Sequence, residues 1–123
     1  MREILFRGRI KDTREWVFGY VELDGVNEAF YIYGFEVEPE TIGQFTGLTD
    51  KNGKKIFEND ILQFDYIGKN LGVNGIAFVN FQNGKFGVEW GHHKEFVCLD
   101  GFANTTLEVI GNIVDNPELL GNK

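Results

Sequence analysis

The chain has 123 residues, the length of one ordinary domain, which excludes any need for a metal or disulfide staple to hold a core. A hydrophobic share of 42% excludes a disordered chain, and a formal net charge of −7 counts against a protein that works by neutralising phosphates. The single cysteine, Cys98, excludes an internal disulfide and fits a reducing compartment, so a cytoplasmic location is expected.

The opening Met-Arg-Glu-Ile-Leu-Phe reaches Arg7 and Arg9 before any long apolar run, which reads as neither a signal peptide nor a membrane span. Residues 4–10 alternate as a strand, 11–15 make a polar turn, and 16–23 (WVFGYVEL) read as a second strand. After the turn dipeptide Asp24-Gly25, residues 29–33 give a third strand that completes a meander, with 35–37 as its continuation. An extended piece follows over 41–48. The hairpin signal Asn52-Gly53 then leads into a strand over 55–57, a polar corner at Glu58-Asn59-Asp60, and a strand over 61–66.

A loop is expected over 68–75, and then a hairpin of strands 76–81 and 86–90 about Asn83-Gly84. Apolar residues fall on both faces of 76–81, as in a strand buried on both sides or lying in a barrel wall. Strands over 95–99 and 106–114 follow, and Asn116-Pro117 opens a short C-terminal helix that Gly121 stops. The expected fold is therefore mostly β. An antiparallel meander with an acidic segment occupies 1–50, and an SH3-like, barrel-type subdomain with the short helix occupies 51–123, the two forming one compact unit.

Several patterns have the residues of a site without its spacing. Adjacent His92 and His93, followed by Cys98 and Asp100, would point to opposite faces of a strand and lack the spacing of a zinc site. Asp50-Lys51-Asn52-Gly53 begins like a calcium loop, but Lys55 and Ile61 stand at its sixth and twelfth positions. Gly53-Lys54-Lys55 lacks the spacing and hydroxyl of a phosphate loop. Glu58 and Asp60 could serve acid–base or metal chemistry, yet residues in that pattern more often cap a turn. The sequon at Asn104 reads as chance. No catalytic, cofactor or metal residues are assigned, and a non-enzyme is expected.

Charge carries the more informative pattern. Residues 25–50 hold five acids (Glu28, Glu36, Glu38, Glu40, Asp50) and no Lys or Arg, whereas 1–24 and 51–123 are near balance. Arg7, Arg9 and Lys11 alternate along the first strand, and Glu36 and Glu38 alternate beyond the third. These five residues form the candidate interaction surface. The two stripes could meet within the chain, or between subunits in a head-to-tail ring, or the basic stripe could touch nucleic acid beside Trp16, Phe18 or Tyr20.

Three long segments, REILFRGRIKDTREWVFGY (2–20), PETIGQFTGLTDKNGKKIFENDIL (39–62) and LEVIGNIVDNPELL (107–120), carry a resemblance to the YopX-like family of bacteriophage and prophage proteins. The resemblance spans nearly the whole chain. It implies a phage- or prophage-encoded, mainly β, oligomeric protein of a bacterial host, and no reaction. Asn59 departs from the Gly more usual before the aspartate in the family pattern, and 66–75 is individual to this chain. A binding or assembly role toward a protein partner or itself is expected, with a nucleic-acid-binding small barrel as the alternative and no membrane partner.

Overall fold

The computed structural model describes residues 4–67, 72–90, 95–102 and 107–121. The chain divides into two units, Met1–Gly47 and Leu48–Lys123. Their strands are antiparallel, and among the described residues the helical pieces are short 3-10 turns.

In the first unit β1 (Phe6–Arg9) pairs with β2 (Trp16–Gly19) on one side and with β6 (Gly43–Thr49) on the other. A separate sheet holds β3 (Val21–Asp24), β4 (Ala29–Ile32) and β5 (Phe35–Val37) in that order. The strand expected over 16–23 is therefore two strands in two sheets, and the expected meander is corrected accordingly. Gly19 makes the break. Its φ is 156°, and a Cβ there would lie 3.3 Å from Cγ2 of Ile32. The two sheets join at one bridge, Ile10 to Val37. β1 lies close over Ile32 and Val37, since a Cβ on Gly8 would come within 3.1 Å of both, and these two side chains are fully buried.

The second unit carries β7 (Lys55–Phe57) and a five-stranded sheet. Its strands are β8 (Asp60–Ile67), β9 (Gly72–Gln82), β10 (Lys85–Trp90), β11 (Glu95–Cys98) and β12 (Leu107–Asn112), ordered β11-β10-β9-β8-β12. From Gly72 onward the expected loop over 68–75 is strand, paired with Phe64–Ile67 of β8, while residues 68–71 lie outside the described residues. The β9–β10 turn has the left-handed pair its sequence demands, Asn83 at φ 53° and Gly84 at φ 81°.

β9 is not buried on both faces. Ala77 and Val79 enter the core, whereas Ile76 is exposed. Among the described residues no pairing joins β11 to β12, the two ends of the sheet, so no closed barrel forms. The C-terminal helix is a 3-10 turn, Pro117–Leu120, ended by Gly121 at φ 73°; the Asn116 carboxamide oxygen accepts from the Asn112 N–H (3.3 Å) and makes no cap bond. No helix among the described residues is long and apolar enough to cross a membrane.

The core of this unit gathers Ile56, Leu62, Phe64, Ala77, Val79, Val88, Leu99 and Leu107. Phe64 sits at its centre, edge-on to Trp90 at 5.4 Å between centroids and tilted against Phe102 at 4.9 Å. Asp50 anchors the hairpin before β7. Its Oδ1 accepts from the N–H groups of Asn52 and Lys54, both at 2.9 Å, and its Oδ2 accepts from the Val109 N–H in β12, also at 2.9 Å. Burial, the largest single influence, works to raise the Asp50 carboxyl. The N–H groups of Val109, Lys54 and Asn52, with the Lys54 ammonium, outweigh it and hold the group below its ordinary 3.8.

Two expectations follow for stability measured by denaturant unfolding. Asp50→Ala strands three donors and should cost about 3 kcal/mol near neutral pH. Because the folded-state carboxyl is depressed, its contribution is complete above 3.8 and fades as pH falls through the lower folded value. The deficit of the variant should therefore shrink in acid. Asn59 holds a left-handed φ of 76°, so Asn59→Gly should be neutral or slightly stabilising, whereas Asn59→Val should cost about 1–2 kcal/mol.

Candidate interaction surface

Strand alternation places Arg7 and Arg9 on one face of β1, and the register sets Phe18 opposite Arg7 and Trp16 opposite Arg9. Arg7 is buried, and its guanidinium carbon lies 4.8 Å from the centroid of the Trp16 ring. Trp16 therefore acts as a platform for an internal cation.

The remaining charges follow from a backbone clasp. Ile10 bridges Val37, the Lys11 N–H donates to the Glu36 carbonyl (3.0 Å), and the Glu38 N–H donates to the Arg9 carbonyl (2.9 Å). That register brings Arg9 to Glu38 and Lys11 to Glu36. Arg9 Nε donates to Glu38 Oε1 at 3.3 Å, and Lys11 Nζ meets Glu36 Oε2 at 3.2 Å. Arg14, in the turn after β1, adds a contact to Glu38 Oε2 at 3.5 Å. Buried Thr41 ties the clasp to the following 3-10 turn, Pro39–Thr41: its hydroxyl donates to the Glu38 carbonyl (2.6 Å) and accepts from the Arg9 N–H (2.9 Å).

The candidate residues thus meet within the chain, Arg9 and Lys11 against Glu38 and Glu36, and Arg7 against Trp16. The stripe pattern did not flag Arg14 or Thr41. Arg14 joins because a left-handed φ of 65° lets the chain turn there, and no spacing rule announces that. Away from this surface, Asp60 is buried and its Oδ2 accepts from the Phe57 N–H at 2.8 Å, the capping role that its position at a corner suggests. Among the described residues no group of three His, Cys, Asp or Glu gathers as a metal site requires. His92, His93 and the sequon at Asn104 lie outside the described residues.

A family model described as "YopX protein" matches residues 6–121. The chain belongs to the YopX family. A solved structure, protein EF1440 from Enterococcus faecalis, is similar at 26% identity with a TM-score of 0.66, over 98% of this chain and 99% of that one. No curated protein matches. The clasp of this YopX-family chain, from Arg9 to Arg14 and from Glu36 to Thr41, lies within the matched residues.

Double-mutant cycles on stability should separate the two ion pairs. The exposed Lys11–Glu36 pair is expected to couple by less than about 0.5 kcal/mol and to weaken further in salt. The half-buried Arg9–Glu38 pair, with side-chain exposures of 14% and 21%, should couple by about 1 kcal/mol or more and keep most of it.

Proposed function

We propose that this chain is a non-enzymatic binding or assembly protein of a phage or prophage, acting in the cytoplasm of a bacterial host on a protein partner or on copies of itself. The observation that carries the reading is where apolar side chains are exposed. Of nine large hydrophobic residues exposed among the described residues, seven lie in the first unit: Ile4, Phe18, Tyr20, Leu23, Val26, Tyr33 and Phe35. Tyr20 is 73% exposed, Tyr33 82% and Val26 91%. Such a concentration of exposed aromatic and aliphatic side chains in one unit is what a protein-binding face would need. The charged stripes add to the rigidity of that unit rather than to its contacts, since their members are engaged with one another.

A second reading, a nucleic-acid-binding small barrel, draws support from the second unit. Four consecutive antiparallel strands, with a fifth returning beside the first, form the arrangement from which an SH3-like barrel curls. The acidic balance and the internal use of Arg7, Arg9 and Lys11 weigh against it.

Affinity capture of the tagged chain from host lysate, with and without nuclease, separates the two. The proposed role expects a specific protein that survives nuclease, or concentration-dependent self-association by sedimentation. A strict monomer that recovers only nucleic acid, with binding lost in salt and on Arg9→Glu, would reverse the order.

A further inference from the structure

β3 is an end strand of its sheet, and its four residues fall into two rows. Val21 and Leu23 share a face with Ile32 and Phe30, their partners across the register, while Glu22 and Asp24 share the other face with Tyr31 and Ala29. Leu23 is 62% exposed and Glu22 is also exposed. Asp24 spends its carboxylate on the turn, where Oδ1 accepts from the Val26 N–H and Oδ2 from the Asn27 carboxamide, and it keeps its negative charge there. The stretch of chain around β3 is acidic, with Glu36 and Glu38 of the same stretch paired to Lys11, Arg9 and Arg14. Between Arg14 and Lys51 the chain holds eight acids and no Lys or Arg.

Among the described residues no strand pairs with the outer edge of β3, and such an edge is a template for another strand. A second copy of the chain fits it poorly. In the antiparallel registers that set Val21 opposite Leu23, or Leu23 opposite itself, Glu22 of one copy faces Glu22 or Asp24 of the other, and like charges directly opposite destabilise a pair. A strand with apolar residues on one face and cations on the other meets both rows with complementary chemistry.

We propose that β3 receives, by strand addition, an extended segment of another protein in which apolar residues alternate with Lys or Arg. This rests on the protein-binding reading above and names the chemistry of the partner. Main-chain hydrogen bonds to the edge supply affinity, Val21 and Leu23 take the apolar side chains, and Glu22 selects the cation between them. The acids also keep the edge from pairing with itself, so one pair of residues excludes one occupant and admits another.

The test titrates the full chain with short peptides of alternating valine and lysine, alternating valine and glutamate, and the same valines and lysines in two blocks. Binding is read by backbone amide shifts and hydrogen exchange. The alternating valine–lysine peptide is expected to protect β3 amides and to bind about tenfold or more tighter than the other two, with the preference falling in salt. Glu22→Lys should reverse the preference between the lysine and glutamate peptides, while Glu118→Lys, an exposed acid of the other unit, should leave it unchanged. Absence of binding, equal binding of all three peptides, or shifts mapping away from β3 and β4 would overturn the proposal. So would a dimer abolished by Leu23→Lys, which would place a second copy on the edge. A nuclease-resistant partner captured equally well by the Glu22→Lys chain would sink the edge-strand proposal and leave the broader binding role standing.

Discussion

The second unit depends on a single carboxylate shared between a local turn and a distant strand. Asp50 is chosen by turn chemistry, accepting N–H groups two and four residues ahead of it. Its other oxygen reaches Val109, 59 positions away in β12. β12 needs this second hold because its pairing with β8 slips register between Val109 and Gly111. The Lys51 N–H adds a bond to the Leu107 carbonyl at 2.9 Å, so both ends of the contact run through the same hairpin. Once β12 is fixed, Leu107 and Val109 lie against Leu62 and Phe64, and the core closes.

In the first unit the comparable task falls to backbone, and charge follows from it. The bridge at Ile10–Val37 and its two flanking hydrogen bonds set the register, and that register alone decides that Arg9 meets Glu38 and Lys11 meets Glu36. The exposed member of this set adds little stability in water. The half-buried one, together with the buried Thr41 hydroxyl, satisfies groups that would otherwise be stranded between two small sheets. Covering Ile32 and Val37 then requires β1 to approach closely, which is why a residue without a Cβ stands at position 8.

Much of this was legible where local chemistry decides it. The Asn83-Gly84 turn and the Asp50 hairpin require backbone conformations that few residues supply, so they could be read directly. Asn59 was readable for the same reason, since asparagine is the common substitute for glycine at positive φ. The break at Gly19 was not, because WVFGYVEL alternates well enough to pass for one strand and only tertiary packing against Ile32 divides it. Pairings such as β1 with β6 and β8 with β12 join segments far apart in the chain, and no short-range signal specifies them. In the tail the start at Asn116-Pro117 and the stop at Gly121 were readable, and the piece between them is one 3-10 turn with no cap bond from the Asn116 side chain. In the charged stripes the alternation was right, and what it could not decide was whether the opposite stripe belonged to the same molecule.

That last point bears on the selectivity of the proposed recognition. Arg9, Lys11 and Arg14 are paired within the chain with Glu36 and Glu38, although Lys11 and Arg14 stay exposed. From position 15 to 35 the charged residues, Glu15, Glu22, Asp24 and Glu28, are all acids, and the same stretch exposes Tyr20, Leu23, Val26, Tyr33 and Phe35. Apolar exposure alone would invite indiscriminate association, and acid alone would bind any cation weakly. Interleaved along a strand with period two, they impose a joint requirement on sequence and on backbone shape, because only an extended partner presents alternate residues to alternate rows. Under the proposed role, the ion pairs that looked like the interaction surface bear on recognition only indirectly, by holding cations against Glu36 and Glu38.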